Sequence, residues 1–285
     1  MSLKGIAKTT LAYLEAGGFV TDDGVKVDFA SEQAAAEAGT RLYRPEELAE
    51  LAAQTSEATQ DPSGDGPGIG GVPEITVTDE TTQVAAHRLV RDEGVDDLVL
   101  LNFASARNPG GGFISGAKAQ EEDLARCSGL YPCLLTQRDY YEINRAEASL
   151  LYTDHLIYSP KVPWFRTRST NRLDHVFLAS VITAPAPNAG ETLRRDAASG
   201  PQIEATLRRR AAYVLALARD QKHRRLLLGA WGCGVFRNDP AMVADAFGAH
   251  LESPDFAGAF NAVTFAVLDR SKQKATLQTF RERFP

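Results

Sequence analysis

Two nearly unbroken apolar stretches, residues 98–101 (LVLL) and 225–228 (RLLL), restrict the fold of this chain more than any other feature. A strand exposed on one face alternates apolar and polar residues; these do not, so both read as strands of a sheet covered on both faces. Further strands are expected at 75–78, 97–103, 155–158, 176–183 and 262–268. Helical spacing marks 80–92, 120–137, 201–220, 240–250 and 271–283 between them. Strands separated by helices indicate an α/β protein with a largely parallel or mixed sheet. At 285 residues the chain can bury a core without disulfides or metal. Its 44% hydrophobic content excludes disordered, collagenous and coiled-coil classes, and no apolar run reaches the roughly 18 residues of a membrane helix.

The first seventy-odd residues differ in character. Residues 4–16 read as a helix ended by Gly17-Gly18, and 19–20 with 25–27 as a hairpin. Ser31 is the expected N-cap of a helix over 32–38, and Pro45 opens another over 46–53. Residues 55–73 are rich in Gly, Pro and Asp and form the best boundary in the chain. The expected organisation is a mainly helical extension, 1–74, packed on a core of 75–285.

The net charge of −6 argues against direct nucleic-acid binding through a basic surface. An anionic ligand must then meet local backbone donors. Cys127, Cys133 and Cys233 form no CxxC pair, which argues against a disulfide framework or a zinc site. Glu15 interrupts the N-terminal apolar residues, so no signal peptide is expected. These features predict a reduced, cytoplasmic protein with no membrane association.

Two loops follow buried strands, and in open α/β sheets ligands bind beyond the carboxyl ends of strands. The first contains Asn108-Pro109-Gly110-Gly111-Gly112 and leads to Gln120-Glu121-Glu122 at a helix start. Three consecutive glycines uncover backbone N–H groups and let a ligand approach. Acidic residues in a first turn also simply favour the helix dipole. The second loop, Gly229-Ala230-Trp231-Gly232-Cys233-Gly234-Val235-Phe236-Arg237-Asn238-Asp239-Pro240, has the strand-to-helix setting that aims N–H donors at phosphates. It is neither a Walker loop nor a dinucleotide fingerprint. Phe236 offers a stacking surface.

The pair of loops in this order resembles the poly(ADP-ribose) glycohydrolases. Gly110-Gly111-Gly112, seven residues, then Gln120-Glu121-Glu122 matches that family's signature. The context Leu101-Asn102-Phe103-Ala104-Ser105-Ala106-Arg107-Asn108-Pro109 and the later Ser128-Gly129-Leu130-Tyr131-Pro132 resemble its bacterial-type branch, and 231–236 resembles its phosphate loop. The resemblance spans roughly 75–270. It implies a three-layer macrodomain with a mixed central sheet and an ADP-ribose cleft at its crest. It also implies hydrolysis of ribose–ribose O-glycosidic bonds without metal or organic cofactor, with poly(ADP-ribose), ADP-ribose and ADP-ribosylated proteins as partners. Glu122 is then the acid/base, and Glu121 holds the ribose or the leaving hydroxyl. Asn108, Gly110, Gly111 and Gly112 contact the distal ribose. Gly232, Cys233, Gly234, Val235 and Phe236 line the diphosphate and ribose side, and Gln120 orders the loop or serves only as a first-turn residue.

A glycosidic bond breaks through an oxocarbenium-like transition state, and its leaving oxygen needs a proton. Sequence neighbours about 100° apart on a helix are poorly placed to flank that bond, so one carboxyl should act as acid and then base. A neighbouring carboxylate and partial burial raise a carboxyl pKa, whereas a helix N-terminus lowers it. General-acid work at neutral pH needs the first effect to win. Asp154-His155 and Asp174-His175 are not expected to be dyads, because strand neighbours point to opposite faces. His87, His223 and His250 lack ligand spacing, and Arg208-Arg209-Arg210 reads as solvated helix surface. Cys233 fits close backbone approach better than nucleophilic catalysis. Two rival functions remain: hydrolysis of mono-ADP-ribosylated protein or another ADP-ribose derivative, and a reader that binds ADP-ribose without cleaving. The Glu121-Glu122 pair weighs against the reader.

Overall fold

The computed structural model describes residues 2–54 and 71–285. Most of the boundary loop expected at 55–73 lies outside the described residues. In chain order the elements are α1 (Leu3–Ala16), β1 (Gly18–Val20), β2 (Lys26–Asp28), α2 (Ala30–Gly39), β3 (Arg41–Tyr43), α3 (Pro45–Ala53), β4 (Glu74–Thr78) and α4 (Thr82–His87). Then follow β5 (Leu98–Phe103), α5 (Gln120–Cys127), α6 (Leu130–Leu135), α7 (Arg138–Ala146), β6 (Leu156–Arg168) and β7 (Asn171–Ala184). The chain ends with α8 (Ala189–Arg195), α9 (Gly200–Asp220), β8 (Arg225–Gly229), α10 (Pro240–Leu251), β9 (Ala262–Ala266) and α11 (Ala275–Arg283).

Among the described residues, seven strands form one mixed sheet in the order β3-β6-β7-β5-β8-β9-β4. Strands β7, β5, β8, β9 and β4 run parallel, while β6 pairs antiparallel with both neighbours. The apolar strand β5 explains the layering. Val99 and Leu101 face a core shared with α3, α9, α10 and α11, while Leu98 and Leu100 face one shared with α4 to α7. Both faces are dry, so nothing in the strand's sequence needs to alternate. The consecutive strands β7 and β8 lie on opposite sides of β5, and this reversal opens a crevice at the carboxyl ends. Among the described residues no helix is long and apolar enough to cross a membrane.

The residues before 55 pack on this sheet. Strand β3 extends it as an edge partner of β6. Thr10 donates from α1 to the Arg126 carbonyl at 2.9 Å, and Gln33 donates from α2 to the Gly129 carbonyl at 3.0 Å. Helix α2 starts before the expected cap: the Asp28 carboxylate accepts from the Ala30 amide at 3.2 Å, and Ser31 lies inside the helix.

The expected helix 120–137 is two helices. At the break the Gly129 amide donates to the Pro163 carbonyl at 2.9 Å, and Ser128 bridges to Trp164, so β6 captures the backbone there. The β6–β7 hairpin is far longer than its two predicted segments. Pro160 and Pro163 hide β6 in the sequence, and a register shift between Ser159 and Val162 absorbs the first of them. Asp174 and His175 do meet, at 2.6 Å, as a pair at the surface. Asp154 instead pairs with Arg209 and Arg210.

Arg210 overturns the reading of 208–210 as solvated surface. It is fully buried. Its guanidinium donates to Asp154 at 2.6 Å and to the carbonyls of Pro185 (2.8 Å), Leu151 (2.5 Å) and Tyr152 (2.8 Å). It thereby ties α9 to the segments before β6 and after β7. Arg210→Met is expected to leave the Asp154 carboxylate and three carbonyls poorly matched, at a cost of about 3–5 kcal/mol. Thermal unfolding checks this; an unchanged Tm contradicts it.

Candidate active site

The site is built from the carboxyl ends of β5, β7 and β8. Helix α5 begins with Gln120, whose side chain finishes the β5 ladder. Its Oε1 accepts from the Phe103 amide at 2.8 Å, and its Nε2 donates to the Leu101 carbonyl at 2.8 Å and to Thr82 Oγ1 at 3.2 Å. Both polar atoms of Gln120 are therefore occupied by protein groups, and the residue fixes where the next two fall.

Glu121 is 2% exposed. Its Oε2 accepts from the Ser105 amide at 2.6 Å and its Oε1 from Asn102 Nδ2 at 3.3 Å. Asn102 also donates to Thr183 Oγ1 at 3.1 Å, so β5 and β7 hold this carboxyl between them. Burial pushes Glu121 up to about 8, against the lowering effect of these donors; the charge of Glu122 adds less. At Glu121, desolvation outweighs the donors and exceeds the effect of the neighbouring carboxylate.

Glu122 is also buried. Its Oε1 accepts from the Gly112 amide at 3.0 Å, while its Oε2 has no partner in the protein. The glycine loop lies against both carboxyls. Gly111 has φ 57°, and a Cβ there would stand 2.3 Å from Glu122 Oε1 and 3.3 Å from Glu121 Oε2. Only a residue without a side chain fits this approach. Asn108 is exposed at the start of the loop, and its carbonyl accepts from the Gly111 amide at 3.0 Å. The far end of the loop is held by Arg126, whose buried guanidinium donates to the Ala117 carbonyl at 2.9 Å.

The second loop leaves β8 and arches across the end of β5 onto the segment after β7. Trp231 Nε1 donates to the Ala184 carbonyl at 3.1 Å, and Asn238 Nδ2 to the Pro187 carbonyl at 2.8 Å. Gly232 has φ 72°, and a Cβ there would stand 2.4 Å from Asn238 Nδ2 and 2.5 Å from Ala186 Cβ. Among the described residues the amides of Gly234, Val235 and Phe236 donate to no protein acceptor. Val235 is 78% exposed, and a Cβ on Gly234 would meet nothing within 4 Å. These amides are available for an anion. Burial pushes the Cys233 thiol up to about 12, so it stays protonated at neutral pH and is a poor nucleophile.

The structure brings Glu121, Glu122 and Gly110 to Gly112 together and sets the 232–236 loop across the same crest. Sequence reasoning missed Asn102, Ser105, Thr183 and Arg126. A polar Asn inside an otherwise apolar buried strand was a readable signal, and Asn102 and Ser105 both lay in the segment that carries the resemblance without being given a role. Among the described residues no group of three or more His, Cys, Asp or Glu is placed to hold a metal.

A three-layer α/β sheet with paired buried glutamates and two glycine-rich loops at its crest defines a macrodomain-like protein equipped for acid/base chemistry. Residues 7–167 match the microbial-type PARG catalytic domain. The poly(ADP-ribose) glycohydrolase (PARG) of Thermomonospora curvata is 44% identical over 99% of both chains, with a TM-score of 0.90. Its complex with the inhibitor ADP-HPD aligns at 0.87 over the same share. The enzyme of Deinococcus radiodurans, in complex with ADP-ribose, is 48% identical over 88% of this chain and 96% of its own, at 0.78. No curated protein matches the chain. The chain belongs to the microbial-type PARG family. The match begins at residue 7 and so takes in residues that the motif resemblance left out.

Proposed function

We propose that this protein hydrolyses the ribose–ribose O-glycosidic bonds of poly(ADP-ribose) and releases ADP-ribose. The observation that carries the reading is the Glu121–Glu122 pair, buried under the glycine loop with one oxygen, Glu122 Oε2, unpartnered. In the mechanism we propose, Glu122 gives a proton to the leaving ribose oxygen as the C–O bond breaks. Water adds to the oxocarbenium-like carbon, and Glu122 takes the proton back. Glu121 has both oxygens engaged by donors and anchors the ribose; its raised pKa lets it hold a proton near neutral pH, and that proton passes to Glu122 before the C–O bond breaks. The amides of 234–236 receive the diphosphate, Phe236 faces the ribose, and Asn108 with 110–112 borders the distal ribose.

A pure reader of ADP-ribose has no need of a buried carboxyl pair, which is costly to fold around. Polymer attached to protein is the proposed physiological partner. A reducing, cytoplasmic setting suits three free cysteines, two of them buried. Residues 1–74 are proposed to act as an extension docked on the 75–285 core. The test is incubation of purified protein with poly(ADP-ribose) and, separately, with mono-ADP-ribosylated protein. ADP-ribose released from the polymer is the expected result. Release only from the mono-modified protein moves the activity to that substrate, and binding without release returns the protein to the reader class.

A further inference from the structure

One face of α1 lies against the glycine loop and its anchor. Lys4, Ala7, Thr10 and Leu11 recur every three or four residues or stand side by side, so they share one side of the helix. A Cβ at Gly116, where φ is 88°, would stand 3.3 Å from the Lys4 amide nitrogen and 3.7 Å from Leu3 Cβ. Ala7 forms one buried cluster with Phe113 and Ala125, on which Leu11 and Tyr131 pack. Thr10 is fully buried. Its hydroxyl donates to the Arg126 carbonyl at 2.9 Å and accepts from Arg166 at 2.7 Å. Arg126 is the residue whose guanidinium holds Ala117 at the far end of the loop.

This face reaches the carboxyl pair because residues 110–117 form interlocked turns. The Phe113 amide donates to the Gly110 carbonyl at 3.2 Å. The Gly112 carbonyl accepts from the amides of Ser115 and Ala117, both at 3.1 Å, and from Ser115 Oγ at 2.8 Å. The Phe113 ring lies against Gly110, where a Cβ would stand 3.1 Å from Phe113 Cδ1 and 3.0 Å from Tyr131 Cδ2. The amide of Gly112 in turn donates to Glu122 Oε1. Ala7, Phe113 and Gly110 are all buried, and a close-packed interior transmits a displacement instead of absorbing it.

Resting on the functional reading above, we infer that Ala7 and Thr10 are positioning residues for the reaction: α1 seats the glycine loop on Glu122, acting through Phe113 and Arg126. The segment before residue 55 then does more than cover the core. A side chain larger than alanine at position 7 pushes Phe113 and draws the Gly112 amide off Glu122.

The test is Ala7→Val in the full chain, which adds two methyl groups to the buried face. Thr10→Val is the second variant; it keeps the shape and loses both bonds of the hydroxyl. Three quantities are measured where thermal unfolding shows each variant folded: release of ADP-ribose from poly(ADP-ribose), inhibition by free ADP-ribose, and amide hydrogen exchange of 110–117. Misplacement of the loop should lower the kcat of Ala7→Val about tenfold. The inhibition constant of ADP-ribose, whose diphosphate meets the amides of 234–236, should stay within about threefold. Exchange in 110–117 should quicken, and Thr10→Val should move kcat and exchange in the same direction. Adding Phe113→Leu to Ala7→Val returns space to the cluster, so the double variant should turn over faster than Ala7→Val alone. A double variant no faster than Ala7→Val overturns the route through Phe113. A kcat within about twofold of wild type in the folded variants overturns the inference even where Tm falls, because the residues then only stabilise the fold. If Ala7→Val does not fold, Thr10→Val decides by the same readings. A wild type that releases no ADP-ribose from polymer fails the functional reading. Exchange then judges the seating of the loop by itself: faster exchange in the variants upholds it, and unchanged exchange overturns it.

Discussion

Glu122→Gln is expected to slow ADP-ribose release from poly(ADP-ribose) by about 10²–10⁴-fold, the usual contribution of a general acid/base. The affinity for ADP-ribose should stay within about twofold. Glutamine has nearly the same shape, and its carbonyl oxygen can still accept from the Gly112 amide, as Glu122 Oε1 does at 3.0 Å. The glycine loop therefore keeps its seat. What is lost is a carboxyl oxygen able to pass a proton to and from the substrate at the position of Oε2, which has no partner in the protein. An effect confined to turnover marks a group that acts in the transition state. A rate within about tenfold of wild type would falsify the assignment of Glu122. An equal loss of binding would instead show that the carboxylate only shapes the cleft.

The carboxyl pair was readable in the sequence through its resemblance to a family signature: three glycines, a seven-residue spacer, and two glutamates at a helix start. What holds the pair was not. Asn102 reaches Glu121 from 19 positions earlier, and Thr183 supports Asn102 from 81 positions away. Long-range hydrogen bonds of this kind leave no local pattern. The same contrast governs the fold. Strands β5 and β8 are legible because burial on both faces demands continuous apolar residues. The edge strand β3 is three residues of mixed character, and its pairing with β6 is set by tertiary contacts. The β6–β7 hairpin contains prolines that argue locally against a strand, yet a bulge accommodates them. Arg210 and Arg126 look like surface residues because an arginine's burial depends on acceptors brought from elsewhere. Here these are the carbonyls of 151, 152 and 185 for one, and that of 117 for the other.

Glu121→Gln is expected to change stability with a sign that depends on pH. Burial raises the folded pKa of Glu121 from the ordinary 4.5 to about 8. The native state therefore binds a proton that the unfolded chain has already released between those values. Linkage then makes the wild type lose stability as pH rises through this window. Below about 4.5 both states are protonated and the contribution of Glu121 is fully present; above about 8 it is gone, because a charged carboxylate is then buried. Glutamine does not titrate. The stability of Glu121→Gln relative to wild type, followed through Tm at each pH, should accordingly climb from pH 5 to pH 8, by an amount on the order of a few kcal/mol, and then level off. A difference in Tm that stays flat over this range would mean that the donors from Ser105 and Asn102 outweigh desolvation and that Glu121 is ionised throughout. The same titration acts on catalysis. If Glu121 stores the proton that Glu122 presents, the wild-type rate must fall as pH rises through about 8, while Glu121→Gln, slowed at every pH, should lose that limb of the profile. Stability and rate then report one proton through two independent measurements, and a rate that stays level up to pH 9 removes Glu121 from its storage.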